Sequence, residues 1–220
     1  MPVAGNTASE RLTPKQRTFA DGLLTSGAVK FGAFRLKLHE TQPDAPLSPM
    51  YVDLRVLRSF PDALDATVAA LQELIAARGL TFTRYADVPM AATPMVAVLS
   101  HLTRIPMITP REAKTHGAGG SINGFFTPGE TVVVIDDVVT HADSKLEAIH
   151  TLEANGLVVH DVVVLVDREQ GGPEAIAAAG YHLPAAVTIS DLLAYWRETG
   201  GIAEEVYQRV TDYFAATKAQ

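Results

Sequence analysis

The chain predicts an α/β protein with a mostly parallel central sheet flanked by helices, fronted by a small N-terminal hood. Three observations predict it. The run Val132-Val133-Val134-Ile135 is continuously apolar, as a strand buried on both faces requires. It leads at once into two acids, a polar turn and a segment with Leu146, Ile149 and Leu152 at helical spacing. From Asp62 onward such strand and helix patterns alternate, the signature of βαβ units whose ligands bind at the carboxyl ends of the strands.

The elements follow in order. Residues 1–12 are small and polar and are expected to fray. Thr13-Pro14-Lys15-Gln16 reads as N-cap, N1 proline and capping-box glutamine, opening a helix that ends near Gly27. Residues 29–38 and 50–54 alternate around the loop HETQPDAPLSP, so the hood, about 13–60, combines a helix with a strand hairpin. Leu64, Val68, Leu71 and Ile75 then share one helical face that Gly79 stops. In the core, about 61–190, strands are expected at 81–85, 106–108, 131–135 and 159–166, and helices at 93–103 and 144–155. The last of these helices opens with Ser144 and Glu147 at capping-box spacing and stops at Asn155-Gly156. Two helices, 190–199 and 202–216, close the chain, and Trp196, Tyr207, Tyr213 and Phe214 recur there at helical spacing, as packing residues do.

Composition narrows the function classes. A net charge of −7 and the absence of any polybasic run argue against a nucleic-acid surface, which needs clustered Lys and Arg. Cysteine is absent, so neither a disulfide framework nor a thiolate site is available. No stretch reaches the roughly 18 apolar residues of a membrane span and no signal-peptide pattern opens the chain, so the cytoplasm is the expected compartment. The seven histidines form no zinc-binding spacing.

The segment VVVIDDVVTHADS, 132–144, places Asp136, Asp137, Thr140 and Ser144 where a strand meets a helix. Here the chain resembles the phosphoribosyltransferases that use phosphoribosyl pyrophosphate, whose signature is a hydrophobic strand, two acids and a Thr-x-Gly-x-Ser/Thr phosphate loop. Four further segments come in the order of the orotate branch: SPMYVDLRVLRSFP at 48–61, DVPMAATP at 87–94, PREAKTHGAGG at 110–120 and DREQGG at 167–172. Over roughly residues 27–193 the chain thus looks like an orotate phosphoribosyltransferase. The resemblance implies a type I phosphoribosyltransferase fold, conversion of orotate and phosphoribosyl pyrophosphate to orotidine 5'-monophosphate and pyrophosphate in pyrimidine nucleotide biosynthesis, a magnesium ion and a homodimer. At 220 residues one such domain with a modest appendage is expected, without room for a second, decarboxylase domain.

The resemblance also assigns residues. Asp136 and Asp137 contact the ribose and support magnesium through the ligand or water; hard oxygen donors suit that ion. Arg111, Lys114 and His116 belong to a glycine-rich lid that closes over the neighbouring subunit's site and meets the pyrophosphate. Asp87, Val88, Pro89, Met90 and Ala91 form the pyrophosphate loop, and Thr140, His141, Ala142, Asp143 and Ser144 the 5'-phosphate loop. Arg168 clamps the carboxylate of orotate, a task for which a guanidinium fork is suited, and Lys37 meets the same substrate.

The chain departs from the family pattern at several of these places. Ala142 stands for the loop glycine, at a cost of about 1 kcal/mol if its φ must be positive. Asp143 and Asp87 put carboxylates beside phosphate sites, where a charge about 4 Å away costs roughly 4 kcal/mol at an effective dielectric near 20. Pro110 and Arg111 replace the usual Arg and Lys, and Leu38 and His39 with inserted residues up to Leu47 follow Lys37. Two alternatives to the orotate enzyme stay open: a non-catalytic ligand sensor on the same fold, and a transferase for another base.

Overall fold

The computed structural model describes residues 7–111 and 120–218. The chain opens with α1 (Ala8–Arg11) and α2 (Pro14–Thr25), each closed by a capping box in which Thr7 pairs with Glu10 and Thr13 with Gln16. Residues 7–12, expected to fray, are thus helical and capped, while residues 1–6 lie outside the described residues. Ala8 and Leu12 are buried, and α1 is tied to the far end of the chain by Glu198, whose carboxylate accepts from the Ser9 amide at 3.0 Å. β1 (Val29–Phe34) and β2 (Ser48–Val52) form the expected antiparallel hairpin.

Behind the hood, α3 (Pro61–Ala77), β3 (Arg84–Asp87), α4 (Thr93–Thr103) and β4 (Met107–Pro110) follow. Then come β5 (Ile122–Asn123), β6 (Thr131–Val139), α5 (Asp143–Ala154) and β7 (Val158–Asp167). α6 (Gly172–Ala178), β8 (Ala185–Thr188), α7 (Ile189–Glu198) and α8 (Glu204–Lys218) complete the chain. The sheet runs β5-β4-β3-β6-β7-β8 and is parallel except for the β4–β5 pair.

The apolar strands divide their residues between two cores, as a period of two dictates. Val133, Ile135, Val163 and Leu165 face the layer of α2, α3, α4 and α7, whereas Val132, Val134, Val162 and Val164 face α5 and α6. Trp196 is fully buried in the first layer, edge-on to Phe31 and donating its indole N–H to the Ala20 carbonyl at 3.1 Å. No helix among the described residues is long and apolar enough to cross a membrane.

Three boundaries differ from expectation in ways that shape the site. β3 begins at Arg84 rather than near 81, so Asp87 is the strand's last residue and not part of a loop. β6 runs four residues beyond Ile135 because β7 continues to pair with it through Val139–Asp167 after β3 has ended. The acidic pair is therefore carried on a strand ledge. Helix α5 starts at Asp143 with no side-chain cap, so the expected Ser144–Glu147 capping box does not form.

Candidate functional site

Strand order reverses direction between β3 and β6, since the chain moves outward through β4 on one side and through β7 and β8 on the other. A crevice opens at the carboxyl ends of strands at such a switch point. Here those ends carry Asp87, then Asp136 and Asp137, with Arg168 just past the end of β7.

Asp136 is 5% exposed, and its two oxygens are engaged. Oδ2 accepts from the Lys145 ammonium at 2.7 Å, and Oδ1 accepts from the Asp137 amide at 2.8 Å. Lys145, itself 2% exposed in the first turns of α5, donates a second bond to the Val138 carbonyl at 2.8 Å. Asp137 is half-buried, and its Oδ1 accepts from the Val138 amide at 2.7 Å. Burial and the neighbouring Asp136 charge push its carboxyl up to about 7.

Both acids stand where the strand meets the helix, and Asp136 there is buried and ion-paired. The beyond-β3 edge of β6 has lost its sheet partner, so its amides turn to the acid side chains, and a buried ammonium neutralises one of them. Lys145 was not among the expected residues. Its signal was a cation in the first turn of a helix, where the dipole disfavours it, and therefore one in need of a nearby carboxylate.

The acid pair does not fit a directly bound divalent metal. Both Asp136 oxygens already have donors, one of them a full positive charge, which leaves only Asp137 Oδ2 uncommitted by the bonds above. Among the described residues no group of three or more His, Asp or Glu side chains could hold a metal ion.

Asp87 is fully buried and accepts from the hydroxyls of Thr93 and Thr109. It thus ties β3 to α4 and β4 rather than placing a charge in the loop, contrary to the expectation of repulsion there. Val88 is buried, Pro89 and Met90 are exposed, Ala91 is half-buried, and the Pro89–Met90 peptide is cis. The Arg58 guanidinium donates to the Met90 carbonyl at 2.9 Å.

Loop 140–144 also departs from expectation. Ala142 has φ −89° and ψ −8° and is 3% exposed, so it sits in ordinary right-handed helical geometry without the strain foreseen for a missing glycine. Thr140 is half-buried, and His141, Asp143 and Ser144 are exposed. Asp143 and Ser144 face a cavity of about 930 Å³ shared with Val88, Pro89, Arg111 and His150. The Arg111 amide is held by the Ser121 carbonyl at 2.8 Å across the β4–β5 pair. Lys114 and His116 lie outside the described residues, as does the Lys37 side chain; the Lys37 backbone opens a 3-10 turn, Lys37–Glu40.

Arg168 leaves β7 with its amide on the Val139 carbonyl at 3.0 Å, beside the 140–144 loop. Its acidic neighbours are engaged elsewhere: Asp167 Oδ1 accepts from the Glu169 amide at 2.7 Å, and Glu169 takes the Ser190 amide and hydroxyl. Arg168 Nε and Nη2 are buried and have no hydrogen-bond partner among the described residues. Burial lowers the guanidinium pKa. Gly172 explains the double glycine that follows: a Cβ there would lie 2.2 Å from Val139 Cγ2 and 3.0 Å from the Thr140 carbonyl, so only glycine lets α6 rest on the backbone at 139–140.

No protein-family model matches the chain. Individual relatives do. It is 35% identical over 190 residues to the uridine 5'-monophosphate synthase of Bos taurus, covering 86% of this chain but only 38% of that enzyme. Among solved structures, Leishmania donovani UMP synthase matches 93% of this chain and 43% of its own, with a TM-score of 0.80 and 31% identity. The orotate phosphoribosyltransferase of Thermoplasma volcanium is 35% identical over 173 residues, which cover 79% of this chain and 98% of that protein. With that relative matched along nearly its whole length at 35% identity, the chain belongs to the orotate phosphoribosyltransferase family.

Proposed function

We propose that the chain transfers the phosphoribosyl group of phosphoribosyl pyrophosphate to orotate, releasing pyrophosphate and forming orotidine 5'-monophosphate in the cytoplasm. The observation that carries this is Arg168, just past the end of β7, whose guanidinium has two buried nitrogens with no hydrogen-bond partner among the described residues. Such groups cost stability until an acceptor arrives, and a planar carboxylate answers two of them at once. The test is loss of orotate absorbance on adding phosphoribosyl pyrophosphate and magnesium. No change in absorbance at any enzyme concentration overturns the reading.

As pyrophosphate departs, positive charge grows on the ribose carbon, so the site acts by positioning and by electrostatics. Asp137 holds the ribose hydroxyls, with Asp136 fixed behind it by Lys145. Segment 88–91 and Arg111, with Lys114 and His116 from the lid, receive the pyrophosphate, and loop 140–144 receives the 5'-phosphate. Lys37 approaches orotate from the hood. A magnesium ion carried by phosphoribosyl pyrophosphate would supply charge to the departing pyrophosphate, and Asp136 and Asp137 would support it only through the ligand or water.

The altered phosphate loop makes a specific prediction. Asp143 is exposed, so water screens its repulsion, and Asp143→Ser is expected to tighten phosphoribosyl pyrophosphate binding by less than about tenfold and chiefly at low salt. Ala142→Gly is expected to bring no gain in affinity and to lower stability by about 0.5–1 kcal/mol, because the residue is already helical. Calorimetric titration and thermal unfolding of both variants check this; tighter binding in Ala142→Gly would show that the loop must turn through positive φ when phosphate binds.

A homodimer sharing its lid is part of the same reading. Mixing Lys114→Ala with Arg168→Ala protein is expected to restore activity above either variant alone, since a mixed dimer assembles one intact site. Mixed dimers without recovery would place Lys114 in its own subunit's site. The buried Lys145–Asp136 pair favours a second reading, a ligand sensor without turnover, because it withdraws one acid from the ribose site. Orotate binding without consumption of phosphoribosyl pyrophosphate would select it.

A further inference from the structure

The inserted hood loop and the C-terminal helix meet over Arg168. Buried His39 organises the loop: Nδ1 lies 2.8 Å from the Leu36 amide and Nε2 3.1 Å from the Ala45 carbonyl, which bends residues 36–45 around the ring. That bend carries Gln42 and Pro46 to the rim of a cavity of about 460 Å³ lined also by His141, Arg168, Tyr213 and Phe214. Helix α8 is anchored through fully buried Val210 and through Tyr207, over whose ring the Arg197 guanidinium sits at 4.1 Å. Tyr213 and Phe214, one turn further on, are only half-buried, with ring centroids 5.9 Å apart and planes inclined by 59°. Phe214 also packs against the core, as expected of it, whereas Tyr213 stands outside that cluster, and both line this cavity.

We propose that Tyr213 and Phe214 are specificity-determining residues: they form an aromatic wall that selects a flat, conjugated ring for the carboxylate held at Arg168. The proposal rests on Arg168 being the carboxylate site. A guanidinium fork reads only the carboxylate and accepts any acid that fits, whereas an aromatic face gains contact with a planar ring and loses it with a puckered one. The cavity combines both elements, one from the end of β7 and one from α8, so the inserted loop and the C-terminal helix together define which acid is bound.

Orotate and 5,6-dihydroorotate carry the same carboxylate on a flat and a puckered ring, and equilibrium titration with each separates the two roles. Wild-type protein is expected to prefer orotate by about tenfold, the worth of one good aromatic contact. Tyr213→Leu should bring that ratio toward one with phosphoribosyl pyrophosphate affinity and melting temperature unchanged, Phe214→Leu should do so with some loss of melting temperature because Phe214 also packs against the core, and Tyr213→Phe keeps it. Arg168→Met should weaken both acids alike and leave their ratio intact. If the leucine variants retain the wild-type ratio while Arg168→Met loses binding, α8 is not part of the base site and the proposal fails with the carboxylate assignment standing. If Arg168→Met binds orotate as the wild type does, both fail.

Discussion

Replacing Lys145 with methionine is expected to lower stability by about 3–5 kcal/mol, the cost of leaving one member of a buried ion pair uncompensated. Lys145 Nζ bridges Asp136 Oδ2 and the Val138 carbonyl, so its loss strands a carboxylate that is 5% exposed and frees the ledge of β6 that carries the acidic pair. Turnover should fall with stability. The double variant Lys145→Met with Asp136→Asn is expected to recover most of the stability, because it removes both charges together. Urea unfolding of the wild type, both single variants and the double variant measures the coupling. A Lys145→Met protein within about 1 kcal/mol of the wild type would mean the pair is solvated and contributes as little as a surface salt bridge. By the same argument Asp136→Asn alone leaves the ammonium buried and unpaired, so it should destabilise rather than act as a silent active-site change.

The second large effect falls on Asp137. Asp137→Asn is expected to lower turnover by about a hundredfold or more, as loss of a preorganised group facing a developing charge does. It should leave the fold intact and make it more stable at alkaline pH. The sign follows from the raised pKa. An unfolded aspartate ionises near 3.8, whereas Asp137 in the folded chain holds its proton up to about 7, so the folded state binds more protons between these values and stability falls as pH rises through that window. Asparagine removes the loss. Relative to wild type the variant should therefore gain up to about 4 kcal/mol between pH 4 and pH 8, reduced by water screening of the half-exposed carboxyl, and show no difference in slope outside the window. Chemical unfolding across that range is the measurement; parallel curves for the two proteins would show that Asp137 is solvated and ionised throughout.

The sequence alone determined the α/β class, the capping-box start at Thr13 and the apolar runs of β6 and β7. Each is set by residues close together in the chain, and a short apolar run rich in β-branched residues marks a strand buried on both faces. The same holds for the family signature, since the acidic pair, segment 110–120 and Arg168 are local motifs in a fixed order. Short elements escaped: β5, β8 and α6 have too few residues to show a period, and they exist because neighbouring strands complete them. The charges at the site were legible as residue types but not as states. Asp143 and Asp87 were both read as obstacles to phosphate, yet one is exposed and the other is buried beneath two threonine hydroxyls. Only the tertiary structure decided which carboxylates are free, because Lys145 meets Asp136 across nine residues of turn, Thr109 meets Asp87 across twenty-two, and Tyr213 reaches the Arg168 cavity from the other end of the core. Partners that distant in sequence leave no periodic trace; packing brings them together, and the low polarity of the interior then sets what each charge costs.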